Sequence, residues 1–195
     1  HNDLVVTNYG DNTVGLLIGN GDGTFQPQFT YSVGNNPLGL CQSNLRQSFT
    51  GELDLIVVNS EDSPGSVSIF LNNPGNDLSG NNVFQSETKY NIGTNPQFIV
   101  STVLTSSGHH DLVLTDDTDD NIWVVYGRGD GTFFPSIQVS VEGGALGINN
   151  GTFHDDNTQD IVTTNRTHSQ INVFFNHNHY YHLSQSLTTI LNKLI

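Results

Sequence analysis

The sequence predicts an all-β chain folded as four-stranded antiparallel sheets stacked side by side as blades. Two observations predict it. The first is an internal repeat: "DLVVTN", "DLIVVN", "DLVLTD" and "DIVTTN" begin at Asp3, Asp54, Asp111 and Asp160, about fifty residues apart. The second is that three more short motifs keep their places around each copy. "TVGLLIG", "SVSIFLN", "NIWVVYG" and "QINVFFN" follow it. "PLGLCQSNL", "PQFIVSTVL" and "ALGINNGTF" precede the last three. Segments such as "PQFTYSVG" and "SETKYNIG" close a unit. A fifty-residue unit of four strands is a β-propeller blade, because one such sheet cannot bury both its faces and stacking against neighbours can.

Each segment is short, rich in β-branched and aromatic residues, and bounded by Gly, Asn, Asp or Pro, as strands are. "DLIVVN" and "NIWVVYG" are nearly continuous in apolar residues, which predicts strands covered on both faces. Phe70 and Trp123 are expected to fill the space between blades. The blades are expected at about 1–36, 37–95, 96–144 and 145–183, the first lacking its opening strand. Residues 184–195 form an ambiguous tail. Leu183, Leu187, Ile190, Leu191 and Leu194 fit one face of a helix, but "SLTTILN" reads equally as a strand. The segments supply three complete blades and a partial one, expected to be part of a larger ring.

Composition narrows the function. The 195 residues are 34% hydrophobic and only 12% charged, and carry a formal net charge of −14. Such a surface repels phosphate backbones and anionic membranes, which argues against nucleic-acid partners, and it favours cations and basic partners. No run is long enough for a membrane-spanning helix. The single Cys41 lies in an apolar run and is expected to be a small buried residue. Asn150 and Asn165 head glycosylation sequons, "NGT" and "NRT".

The order acidic loop, "DLVV-N", "TV-LL-GNGDGTF" resembles the FG-GAP/VCBS repeats, the blade family related to the N-terminal propeller of integrin α chains. The resemblance runs from Asp3 to about Asn176. It implies a propeller, often of seven blades, and a calcium loop before each "DLVV" strand with ligands at alternate positions. Here those positions hold Arg46, Ser48 and Thr50 before Asp54, and Val103, Thr105 and Ser107 before Asp111. Before Asp160 they hold Thr152, His154 and Asp156, with Asn157 where Gly51 and Gly108 stand in the other two. Asp156 and Asp160 are what remains of a weak calcium site. The other reading is an eroded loop whose final Asp caps backbone N–H groups.

"YGRGDGTFFP" contains the adhesion tripeptide Arg128-Gly129-Asp130, but "IGNGDGTFQP" repeats its frame with Asn20 in place of Arg128. The tripeptide therefore reads as a turn whose glycines supply positive φ, with adhesion as the alternative. At the opposite end, the loops after the second strands include "DDTDDN". Asp116, Asp117, Asp119 and Asp120 there form a candidate rim for a cation or a basic ligand, or else a solvated turn. His177, His179 and His182 in "NHNHYYH" match no defined metal spacing.

No catalytic constellation and no phosphate loop is present. The expectation is a non-catalytic, extracellular or cell-surface recognition or adhesion propeller, with glycan or protein ligands on the second-strand rim and at most weak calcium. The alternatives are an accessory propeller of a polysaccharide-active enzyme and a structural spacer.

Overall fold

A computed structural model gives the side chains of residues 1–49, 51–75, 82–118, 120–141, 143–153, 158–167 and 169–176, and the backbone of 183–189. The chain is all β. The first sheet holds β1 (Leu4–Asn8), β2 (Thr13–Leu17) and β3 (Phe29–Ser32), with a short 3-10 turn at Tyr9–Asp11. The second holds β4 (Pro37–Ser43), β5 (Asp54–Asn59), β6 (Ser66–Phe70) and β7 (Thr88–Asn91). The third holds β8 (Pro96–Thr102), β9 (Asp111–Asp116), β10 (Asn121–Val125) and β11 (Ile137–Ser140). The fourth holds β12 (Ala145–Gly151), β13 (Asp160–Asn165), β14 (Gln170–Asn176) and β15 (Leu183–Thr189).

Each sheet is an antiparallel meander in chain order: β1-β2-β3, β4-β5-β6-β7, β8-β9-β10-β11 and β12-β13-β14-β15. These are the blades of a propeller arc, three complete and the first lacking its opening strand. The final stretch is a strand over Leu183–Thr189, where the apolar spacing also allowed a helix. Pairing with β14 satisfies its backbone.

The repeat extends to irregularities. The pairing of the first strand with the second slips between Pro37 and Leu40, between Pro96 and Ile99, and between Ala145 and Ile148, the same place in three blades. The core lies between blades, not within them. All six residues of β5 and of β9 are buried, as near-continuous apolar strands demand. Val14, Leu55, Val57 and Phe70 join the first blade to the second. Ile56, Val58, Leu112, Leu114 and Phe133 join the second to the third. Val113, Val124, Ile161 and Phe174 join the third to the fourth. Phe70 is buried, with Tyr31 and Phe84 at ring distances of 5.8 and 6.1 Å. Trp123 is half-buried against the second–third cluster.

The first strands converge. A Cβ on Gly39 of β4 would lie 2.4 Å from the Gln97 carbonyl oxygen and 2.9 Å from the Phe98 Cα. Both atoms are backbone, so they yield only if β4 and β8 separate. Gly39→Val should cost about 1–3 kcal/mol by overpacking. Chemical denaturation checks it, and a variant as stable as the parent contradicts the close approach.

The strand 2–3 loops and the links between blades lie together at one end. Ser60 and Glu61 donate their N–H groups to the carbonyls of Asn36 and Asn35. Asp117 donates to Asn95, and Arg166 and Thr167 donate to Gly144 and Gly143. The loops after the first and third strands occupy the other end.

Candidate functional site

At the first-and-third-loop end, each second strand is preceded or opened by an Asp that fastens two loops. Asp111 accepts the Leu104 N–H at 3.0 Å through Oδ2 and the Gly127 N–H at 2.8 Å through Oδ1. Asp160 accepts Phe153 N–H at 2.8 Å and Asn176 N–H at 2.9 Å in the same way. Asp54 accepts Leu45 N–H at 3.0 Å and Asn72 N–H at 2.8 Å. Asp3 accepts Gly19 N–H at 2.9 Å. The three in complete blades are no more than 1% exposed. A short side chain at the strand's start faces the end of the strand before and the end of the strand after, so one carboxylate ties three chain segments.

Asp54 and Asp111 do not fit the calcium role that the repeat resemblance implies, and the loop that would join Asp156 to Asp160 lies in part outside the described residues. Both oxygens of Asp54, Asp111 and Asp160 are already held by backbone N–H groups. Arg46 goes further. Its guanidinium lies 3.1 Å from Asp54 Oδ1 and donates to the Asn72 carbonyl at 2.8 Å, so a fixed cation stands beside the carboxylate. Val103, Thr105 and Ser107 bring no carboxylate to the Asp111 loop. Asp156, His154 and Asn157 lie outside the described residues. Among the described residues no group of three or more His, Cys, Asp or Glu could hold a metal ion.

The Arg128-Gly129-Asp130 tripeptide is the turn of a bridge between Gly127 and Phe133, as "NGDG" is between Gly19 and Phe25. Arg128 N–H donates to the Thr132 carbonyl at 2.9 Å, and Asn20 N–H to the Thr24 carbonyl at 3.0 Å. Asp130 Oδ1 accepts the Thr132 N–H at 2.9 Å and its hydroxyl at 2.6 Å, and Asp22 does the same to Thr24 at identical distances. Gly129 and Gly131 have φ of +81° and +88°. The His109 ring packs on Gly129, where a Cβ would meet it at 2.6 Å.

The Thr hydroxyl and N–H hold the Asp22 and Asp130 carboxyls below the ordinary value of 3.8, whereas burial pushes Asp111 above it against its two N–H donors. The signs are opposite. The Asp22 and Asp130 turns are tightest above that value and loosen as pH falls through their folded pKa. Asp111 favours folding most when protonated and loses that contribution as pH rises through its raised folded pKa. Carboxyl titration by NMR should show Asp22 and Asp130 moving below 3.8 and Asp111 above it. One common midpoint would contradict the fastening geometry.

The second-strand rim is not one acidic patch. Asp116 is buried and accepts the N–H groups of Thr94 at 2.8 Å, Asn95 at 3.1 Å and Thr118 at 3.0 Å. It locks the link between blades and cannot present a carboxylate to a ligand. Asp117 pairs with Arg166. Asp120 has φ of +29°, and its carbonyl accepts the Val141 N–H at 2.7 Å. Asp119 lies outside the described residues. Nearby acids are also engaged. Glu61 accepts the Tyr9 hydroxyl at 2.9 Å, and Asp62 accepts Asn35 N–H at 2.9 Å and lies 3.1 Å from Lys89 Nζ. Sequence neighbours were grouped as a cluster, but Asp116 is the last residue of the fully buried β9, whereas Asp117 lies in the turn beyond it.

A concavity lies at the opposite end, on the third blade. A cavity of about 630 Å³ is lined by Tyr126, Phe134, Ile137, Arg128, His109, Ser107 and Thr105. Phe134 and Ile137 are 50% and 45% exposed. The Arg128 guanidinium lies 4.3 Å from the Phe134 ring centroid and donates to the Phe133 carbonyl at 2.5 Å. Sequence reasoning missed this site, although a signal was there. The twin stretches differ at Ile18/Tyr126, Asn20/Arg128 and Gln26/Phe134, and the last two differences touch. His177, His179 and His182 lie outside the described residues.

The sequons sit on engaged asparagines. Asn165 closes β13 at 4% exposure, and the Asn150 amide nitrogen donates to Gln159 Oε1 at 2.8 Å and Thr102 Oγ1 at 3.2 Å. Chain secreted from a glycosylating host should carry no glycan on Asn165. Intact-mass and peptide mapping check this, and an occupied Asn165 would contradict the packing of that strand.

No protein-family model matches the sequence, and no curated protein matches it. Eleven chains of solved structures are similar to it, among them the following two. One is a chain in the crystal structure of BBS1N in complex with ARL6DN, soaked with lead: 13% identity, TM-score 0.54, covering 97% of this chain and 56% of that one. The other is an Agrocybe aegerita lectin, whose structure describes recognition of non-reducing terminal N-acetylglucosamine: 17% identity, TM-score 0.53, covering 97% of this chain and 52% of that one. The chain spans about half the length of each. At these identities the likeness is one of fold, and the fold is an arc of propeller blades.

Proposed function

We propose that the chain is a non-catalytic recognition segment of an extracellular or cell-surface propeller, and that it binds an uncharged saccharide unit in the cavity on the third blade. The cavity itself carries the reading. An apolar floor of Tyr126, Phe134 and Ile137 suits the C–H face of a sugar ring, and Ser107, Thr105, His109 and Arg128 ring it with hydrogen-bonding groups. The chain's net charge of −14 disfavours anionic glycans. The second-strand rim is the weaker candidate because Asp116, Asp117, Glu61 and Asp62 are engaged by the protein. Two supports are independent of the cavity: the resemblance to the FG-GAP/VCBS repeats, and a structural likeness to a lectin and to a chain from a protein complex.

The test is a chemical-shift titration with neutral mono- and disaccharides, N-acetylglucosamine among them. Shifts should centre on Ser107, Tyr126, Arg128 and Phe134. Phe134→Ala should weaken binding about tenfold, the size of one lost ring contact, with the melting point unchanged. Shifts centred on Asp117–Asp120, or an undiminished affinity in the variant, would overturn the assignment.

A further inference from the structure

The residues of the third-blade cavity have counterparts in the two blades before it, and the backbone fixes the correspondence. Gln26, Gln85 and Phe134 donate their N–H groups to the carbonyls of Ile18, Leu71 and Tyr126. Two residues beyond those carbonyls, Asn20, Asn73 and Arg128 donate theirs to Thr24, Val83 and Thr132. The first and second blades therefore place a Gln and an Asn amide where the third places the Phe134 ring and the Arg128 guanidinium. Two residues before the fastening Asp, His109 stands where the second blade has Glu52. Amides and carboxylates carry acceptor oxygens, whereas Phe and Arg carry none.

The rest of the polar wall is short of acceptors too. Thr105 Oγ1 and Ser107 Oγ share a hydrogen bond at 2.7 Å, and the Ser107 oxygen also accepts the His109 N–H at 3.2 Å. Among the described residues, no Asp, Glu, Asn or Gln side chain lines the cavity. Arg128 uses one N–H on the Phe133 carbonyl and has further N–H groups beside the Phe134 ring, whose centroid lies 4.3 Å away. The cavity is thus rich in donors and sits against the apolar Phe134, Tyr126 and Ile137. A face of sugar hydroxyls needs acceptors for its O–H groups as well as donors. These residues satisfy instead a carbonyl oxygen with an apolar group beside it.

We infer that the saccharide bound in this cavity carries an acetamido group and that this group is what the cavity reads. Its carbonyl oxygen accepts from Arg128, and its methyl lies against Phe134. The inference rests on the saccharide reading above and narrows it to N-acetylated sugars. An acetamido group is neutral, so it meets the donors without bringing an anion to a chain of net charge −14. A carboxylate would match the donors but lose its hydration against the apolar floor. The first and second blades, with Asn and Gln at the two deciding positions, do not repeat the site.

The probes are the methyl β-glycosides of N-acetylglucosamine, glucose and glucuronic acid, each titrated against the intact chain. The N-acetyl glycoside should bind about tenfold tighter than the glucoside, the size of one hydrogen bond to a charged donor. Saturation transfer from the protein should be strongest at its acetyl methyl protons. Arg128→Asn puts the first blade's residue into the same turn, which Asp22 and Thr24 hold there without an arginine. The variant should melt with the parent and lose the preference for the N-acetyl glycoside. Equal binding of glucoside and N-acetyl glycoside would overturn the acetamido assignment and leave the saccharide reading standing. Tighter binding of the glucuronide, or a preference that persists in Arg128→Asn, would overturn it in the same way. No binding of any glycoside would overturn both.

Discussion

Asp111→Ala should destabilise the chain by about 3 kcal/mol, since it strands two buried N–H groups at 1–3 kcal/mol each and recovers part of the carboxylate's desolvation cost. The donors are those of Leu104 and Gly127, and the site is 1% exposed, so water does not replace the lost oxygen. Asp111→Asn should not rescue it fully. The amide offers one acceptor, and its NH₂ group would meet the other N–H donor. Urea denaturation of both variants checks this. The local signature is loss of exchange protection at Leu104 and Gly127, with the first blade unchanged. An alanine variant within 0.5 kcal/mol of the parent, about the range of an ordinary surface substitution, would show that the carboxylate is not a fastener.

Phe70→Ala should cost about 3–5 kcal/mol, the usual range for truncating a buried aromatic. The ring is 3% exposed in the cluster with Val14, Leu55 and Val57, between the first two blades. Tyr31 and Phe84 lie against it, and those two rings meet edge-on at 5.4 Å. The loss is a packing loss between blades, so Phe70→Leu should recover most of it, since it leaves a smaller cavity. The denaturation midpoint measures both. Equal losses for Ala and Leu would mean that ring contacts, not filled volume, hold the blades together.

Much of this fold was legible in the sequence for one physical reason. A blade must cover both faces, so its second strand becomes a continuous apolar run, and "DLIVVN" and "DLVLTD" say so without any alignment. The opening Asp was legible as a position, and its role as a fastener follows from a side chain short enough to reach two N–H groups. The turn status of Arg128-Gly129-Asp130 was visible in the copy at Asn20-Gly21-Asp22. Less was legible wherever side-chain direction decides. Asp116 stands one residue from Asp117 in sequence, yet the first ends a strand covered on both faces and the second begins the turn, where it meets Arg166. The cavity on the third blade needs Tyr126, from the end of the third strand, beside Thr105 and His109, from the loop after the first. Only the meander brings those together. The difference Gln26 to Phe134 marked the place, but its meaning depends on Arg128 lying over the ring.

The loops that resemble calcium sites are the point on which the whole reading turns, because a recognition site independent of metal follows from fasteners that need none. The most direct measurement is a thermal melt of the chain in millimolar calcium and again in chelator. With Asp54, Asp111 and Asp160 already satisfied by N–H groups and Arg46 beside Asp54, the two melting points should agree within about 1 °C, since a ligand that does not bind shifts nothing. A rise of several degrees with calcium would contradict the fastener reading and return the acidic loops to metal binding, and Asp160→Ala would then show whether that loop is the one responsible.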